Sequence, residues 1–275
     1  MQTIYIFYNK KTISYFEDYI NSLVSVAPQN LLIRTVPWSR ISKLVIKLDD
    51  ILVFIRKIPK ELLKFLGYRK HYLLNTEQLS RKMMYETVFR DINENTGILD
   101  YSLANIEIMK TIKGLEGKNI KYLPYQINDK EIKNYDKVYN VCMMDGVTER
   151  RLAVMEKIKM IPQSNIVKGF GQSRDNLLFR HKILVNIHAN DDFNVFEQMR
   201  CNRCILNKMI VISEPSLYEQ SYELEKYVIV CPYNEIMEKV LEVLENYESY
   251  YNKMFGDFSV DDLRDKYGKI SDIIV

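Results

Sequence analysis

An α/β chain with largely parallel sheets is what this sequence predicts, and three observations predict it. Strand-like and helix-like segments alternate almost throughout, the pattern of helices layered over parallel strands. Residues 51–55, Ile-Leu-Val-Phe-Ile, are apolar at every position and read as a buried strand. A stretch at 124–136, with proline, asparagine, several charges and no sustained apolar period, separates two such series of about 120 residues each.

The first series opens with a strand at 3–8 and a helix at 14–23, then a strand at 31–36. After Pro37, apolar Ile41, Leu44, Val45 and Leu48 fall at helical spacing and predict a helix. The strand at 51–55 follows, then a helix at 59–66 that starts on a favourable proline. A strand at 72–74, a helix at 80–89, a strand at 98–101, a helix at 103–112 and a strand at 120–123 complete the series. The second series reads strand 137–143, helix 149–160, strand 166–170, short helix 174–180, strand 183–187 and helix 193–206. Strands at 209–213 and 227–230 and a long helix at 234–254 close it, with a short helix near 260–266 in the tail. The expected organisation is two Rossmann-like domains, 1–128 and 134–255, with 256–275 as a tail that packs back on the first.

Composition narrows the classes. At 275 residues, 47% hydrophobic and 27% charged, the chain can bury cores without metal or disulfides. Its 39 basic and 36 acidic residues are interspersed and net only +3, unlike the clustered basic face of a nucleic-acid binder. The most basic region, 56–70, interleaves its charges with Ile58, Leu62, Leu63, Phe65 and Leu66, as in an amphipathic helix with a solvated face; peripheral contact with anionic lipid is left open. No apolar run approaches the roughly 20 residues of a membrane span. The first residues read as a strand rather than a secretory leader, so the expected location is cytoplasmic. Cys201 and Cys204 form a C-x-x-C without a second ligand pair, and with Cys142 and Cys231 they read as reduced structural cysteines; no metal is expected.

The phosphate-binding fingerprints of P-loop and dinucleotide-binding proteins are absent, as are a G-x-S-x-G elbow and H-E-x-x-H. Three strand ends in the second series carry polar clusters instead. Asp145-Gly146-Val147-Thr148-Glu149-Arg150-Arg151 is a turn, a helix cap and paired arginines. A helix N-terminus beside guanidinium groups suits a diphosphate, and equally reads as an ordinary capped helix. Gly169-Phe170-Gly171 lets backbone approach a flat ligand, or simply turns the chain. Asn186-Ile187-His188 ends a strand and precedes a helix carrying Glu197, Arg200 and Arg203 at spacing three, on one broad face.

The order of these pieces resembles a known family. Lys182-Ile183-Leu184-Val185-Asn186-Ile187-His188, then Phe196-Glu197-Gln198-Met199-Arg200, then Met209-Ile210-Val211-Ile212-Ser213-Glu214 resembles the donor half of GT-B glycosyltransferases, in the group 1 and CgeB-like branch. Leu73 to Leu79, Asp100-Tyr101-Ser102 with Asn105, and Tyr122-Leu123-Pro124-Tyr125 agree. The resemblance implies two Rossmann-like domains facing a central cleft. It implies transfer of a sugar from a nucleotide-diphosphate donor, UDP- or GDP-linked, to a hydroxyl acceptor such as a glycan, without metal. Glu197 would bind the donor ribose, and Arg150 or Arg151 the diphosphate, beside Gly146. Phe170 and Gly171 would hold the base, and Asn186, His188, Phe196 and Arg200 would line the sugar-phosphate site. Glu77, Asp100 and His188 are the candidate catalytic groups. The sequence departs from the family where a second glutamate is common, at Ala189, and Asn207-Lys208 stand where a glycine turn is usual. Those departures motivate the alternative of a non-catalytic sugar-nucleotide or glycan-binding module.

Overall fold

The computed structural model describes residues 2–80, 82–216, 224–264 and 270–274. Two compact units divide the chain, the first Met1–Gln126 with Tyr267–Val275 and the second Ile127–Lys266.

In the first unit, strand β1 (Thr3–Tyr8) leads through helix α1 (Glu17–Ser25) to β2 (Leu32–Pro37). Then come β3 (Ile51–Ile55), α2 (Lys60–Leu66), β4 (His71–Asn75), α3 (Lys82–Val88), β5 (Thr96–Asp100), α4 (Leu103–Met109) and β6 (Ile120–Tyr122). The six strands pair in the order β2-β1-β3-β4-β5-β6, every pairing parallel. Strands β3, β4 and β5 are buried at every residue, because helices cover both faces of a parallel sheet. Tyr5, Phe7, Leu52, Phe54 and Leu73 pack on one face with Ile58 and Leu66, against Leu62 and Leu63 of α2.

The second unit runs β7 (Tyr139–Met144), α5 (Glu149–Lys159), β8 (Asn165–Val167), α6 (Gly171–Leu178), β9 (His181–Asn186), α7 (Gln198–Leu206), β10 (Ile210–Ser213) and β11 (Val228–Val230). Helices α8 (Ile236–Glu245), α9 (Tyr247–Phe255) and α10 (Val260–Arg264) follow, and α11 (Ile270–Ile274) belongs to the first unit. The second sheet is also parallel throughout, in the order β11-β10-β9-β7-β8. Both units are therefore α/β with Rossmann-like parallel sheets.

Strand order reverses next to the first strand of each unit, between β1 and β3 and between β7 and β9. Neighbouring crossovers there leave to opposite faces, which opens a crevice beyond the strand C-termini. Asp145–Arg151 and Asn186–His188 follow the two strands that flank this point in the second unit.

Four expectations need correction. Residues 38–48 do not form an α-helix: Trp38–Lys43 is a 3-10 turn, and beyond it Leu44 and Ile46 turn inward while Val45 and Leu48 are exposed. Alternation of period two has won over an apparent helical period. The long helix at 234–254 breaks at Asn246, whose side chain and backbone both donate to Glu242 O. The helix expected at 193–206 begins only at Gln198, because the Asn190 side chain and carbonyl cap a turn at Asp192 and Phe193. The expected helix at 174–180 starts earlier, at Gly171. Arg81, within the expected helix at 80–89, and residues 265–266, the end of the one near 260–266, lie outside the described residues.

Candidate functional site

At the switch point of the second sheet the chain gathers three arginines. Thr148 caps α5, its hydroxyl accepting from Arg151 N, so the first turn of α5 aims its free N–H groups beyond the end of β7. Gly146 sits in the turn at φ 142°, and a Cβ there would lie 2.7 Å from Arg151 Nη1. The glycine is what lets the guanidinium lie against the turn.

Arg151 is 7% exposed. Its Nε donates to Ile187 O at 2.8 Å, its Nη1 to Gly146 O at 3.4 Å, and its Nη2 pairs with Glu197 Oε1 at 3.0 Å. Burial lowers its pKa and the Arg200 charge adds to this, while Glu197 opposes both. Arg200, from the first turn of α7, holds the other Glu197 oxygen at 2.8 Å and donates to Asn186 Oδ1 at 3.0 Å. Asn186 in turn donates to Ser213 Oγ at the end of β10. Glu197 is thus the carboxylate between two guanidinium groups, standing at the cap of α7 rather than within it.

Arg150 points elsewhere. Its Nη2 pairs with the buried Glu214 at 2.6 Å, its Nε reaches exposed Asp191 at 3.3 Å, and its guanidinium lies 3.9 Å over the Tyr233 ring. Tyr233 OH donates to Arg150 O at 2.8 Å. Glu214 also accepts from His188 N at 2.8 Å. Two buried polar atoms here lack a hydrogen-bond partner among the described residues, Arg150 Nη1 and His188 Nδ1. The remaining ring nitrogen of His188 contacts Pro215 O at 3.1 Å, which makes Nε2 the protonated one.

Beside these residues is an open concavity of about 520 Å³ lined by Thr148, Glu149, Arg150, Ala153, Ala189, Asn190 and Tyr233. Its size fits a small ligand. Another concavity of about 520 Å³ touches Lys137 and Lys208, at the N-terminal ends of β7 and β10, the end of a parallel sheet that ordinarily does not bind ligands. Arg150, Arg151 and Arg200 stand beside the buried Glu214 and the partly exposed Glu197, while Glu149 on the wall of the concavity and Asp191, 93% exposed at its side chain, are screened by solvent.

The sequence-predicted residues divide accordingly. Gly146, Arg150, Arg151, Asn186, His188, Glu197 and Arg200 converge. Phe170 and Gly171 lie on the neighbouring crossover after β8, Phe170 half exposed and Gly171 at φ 70°. Phe196 is buried rather than presented at the surface. Arg203, expected to share a face with Glu197 and Arg200, turns inward to Asp175 at 2.6 Å and Glu131 at 2.8 Å, where Arg174 also pairs with Asp175. In the first unit, Glu77 follows β4 and pairs with Arg56 at 2.9 Å; burial raises its pKa and Arg56 opposes this. Asp100 ends β5 fully buried, accepting from Asn75, Ser102 N and Asn105. Its carboxylate organises the loops after β4 and β5 instead of opening to an acceptor. Glu214 and Tyr233 were missed as site residues. Glu214 had a signal, as an acid directly after an apolar strand, whereas Tyr233 had none.

The four cysteines are free and buried. No helix among the described residues is long and apolar enough to cross a membrane.

No family model matches the chain. It is 32% identical over 216 residues to the uncharacterized protein L140 of Acanthamoeba polyphaga mimivirus, covering 72% of this chain and 67% of that protein. It is 31% identical over 193 residues to the uncharacterized protein R358 of the same virus, covering 69% of this chain and 67% of that protein. Uncharacterized protein L138 is 33% identical over 182 residues, 62% of this chain, which spans only 20% of L138.

Proposed function

We propose that this chain, which belongs to the family of the mimivirus proteins L140 and R358, is a metal-independent glycosyltransferase of GT-B type. It would move a sugar from a UDP- or GDP-linked donor to a hydroxyl of a glycan or other acceptor, with the second unit as the donor half. The observation that carries this reading is Arg150: a guanidinium stacked on Tyr233 at the edge of a ligand-sized concavity, in the first turn of α5, with Nη1 buried and unpartnered.

A departing nucleoside diphosphate needs positive charge that is already in place when the glycosidic C–O bond breaks. Arg150 and the first turn of α5 supply it without a metal ion. Arg151 and Arg200 hold Glu197 fixed, and each carboxylate oxygen keeps lone-pair capacity for a ribose hydroxyl. Asn186 and His188 would line the sugar-phosphate side.

Calorimetry with UDP and GDP, followed by assay of nucleoside diphosphate release from their sugars with and without chelator, tests the reading. One nucleotide should bind, Arg150→Ala should weaken it by on the order of tenfold to a hundredfold, and chelator should not change turnover. Absence of binding by any nucleotide sinks the proposal. A second reading, a non-catalytic sugar-nucleotide or glycan-binding module, is favoured by one observation. Asp100 is sealed and Glu77 is committed to Arg56, which leaves neither as a free base. Tight binding with no nucleotide release across a broad acceptor panel selects that module.

A further inference from the structure

The first unit carries a second feature that the donor site does not use. Residues 40–70 hold nine Lys and Arg against three Asp and Glu, a local excess of +6 in a chain whose total is +3. The rest of the chain is therefore acidic overall.

The fold lays this segment out on one side. Leu44 and Ile46 pack into the same core cluster as Leu62, Leu63 and Leu66, so residues 43–48 and α2 lie over the same face of the first sheet. Their outward side chains then share a surface. Tyr68 is 98% exposed, Val45 90% and Leu48 78%, three of the four most exposed large hydrophobic side chains among the described residues, and Phe65 adds 43%. Between them stand Arg40, Lys43, Lys47, Lys57, Lys60 and Lys64, all exposed. Lys57 and Lys60 share Asp91, and Arg69 lies over the Phe65 ring. Arg40, Lys43, Lys47 and Lys64 have no ion-pair partner among the described residues.

We infer that this face docks on a membrane surface bearing anionic lipid. Isolated exposed apolar side chains are ordinary on a soluble protein; aliphatic and aromatic side chains interleaved with unpaired lysines are the pattern of an interfacial anchor. The ammonium groups meet lipid phosphates and carboxylates while Val45, Leu48, Phe65 and Tyr68 enter the headgroup boundary. A nucleic acid would use the same lysines, but it offers Val45 and Leu48 nothing to bury against, and stacking needs aromatic rings.

Flotation of the full chain with phosphatidylcholine vesicles, with and without phosphatidylserine, decides the matter. The protein floats with the serine-containing vesicles at low salt, and binding falls as salt rises. A Lys43→Gln, Lys47→Gln, Lys64→Gln variant loses about fivefold per lysine, on the order of a hundredfold in all. A Val45→Ser, Leu48→Ser, Tyr68→Ser variant loses at least about tenfold. Both keep the parent's thermal melt, because the altered side chains are exposed. Failure to float overturns the inference, as does equal flotation with pure phosphatidylcholine or binding that survives either variant. So does oligonucleotide binding that needs the three lysines in a protein that ignores vesicles.

Discussion

Gly146 and Arg151 constrain one another: the guanidinium occupies the space that any Cβ at 146 would need. Gly146→Ala both strains the turn at its positive φ and crowds Arg151, and we expect a loss of about 1–3 kcal/mol in urea unfolding. If the donor site is as proposed, nucleotide affinity drops in the same variant. Asp100 makes a different demand. Burial pushes its pKa from 3.8 up to about 7, against the hydrogen bonds from Asn75, Ser102 and Asn105. Between those values the folded protein retains a proton that the unfolded chain has released, so this group's contribution to stability is present at low pH. It is lost as pH rises towards 7 and is constant above that. Urea melts of the parent at about pH 5 and pH 7 should therefore show a decline that Asp100→Asn lacks, even though the variant is the less stable protein. An identical pH slope in both would remove Asp100 as its source.

Helix α5 begins where the candidate site does, and its start rests on Thr148. Thr148→Ala leaves Arg151 N without its side-chain acceptor and should cost about 1 kcal/mol, read as a lowered melting temperature. At this scale the sequence was informative where burial and period coincide. Strands such as β3 and β9 are apolar runs between charged ends, and the cap Thr148 stands directly before its helix. It misled where two periods fit the same residues. Ile41, Leu44, Val45 and Leu48 satisfy a helix on paper, but only Ile41 and Leu44 face the core, with Ile46 completing an extended alternation. In α8 and α9 the apolar spacing runs unbroken from Ile236 through Val240 and Val243 to Tyr247, so nothing in the pattern marks the break that a side-chain bond at Asn246 imposes. The site divides the same way. Gly146, Arg150, Arg151 and Asn186 lie at or soon after strand ends and were legible there, and Glu197 was legible from its spacing to Arg200. Tyr233 reaches Arg150 from 83 residues away along the chain, a contact that only the tertiary fold creates. Asp100, a polar group at a strand end like the others, is sealed by Asn75 and Asn105, which local sequence could not reveal.

At the scale of the whole molecule, residues 267–275 belong to the same unit as residues 1–126. Ile270 and Ile274 of α11 are fully buried, and Lys121 Nζ, on β6, donates to Ile273 O. Ile270→Ala should cost about 2–4 kcal/mol and raise amide exchange in β6 while leaving β10 unchanged; equal protection loss in both strands would argue against that assignment. The same arrangement has a consequence for the order of events on the ribosome. Residues 127–266, the whole of the second unit, are made between β6 of the first unit and its helix α11. At translation rates of ~5–20 residues per second, that interval is on the order of ten seconds. The second unit can fold while the first still waits for α11. A nascent chain stalled after Arg264 would then carry nearly all of the second unit together with a first unit that lacks the buried Ile270 and Ile274.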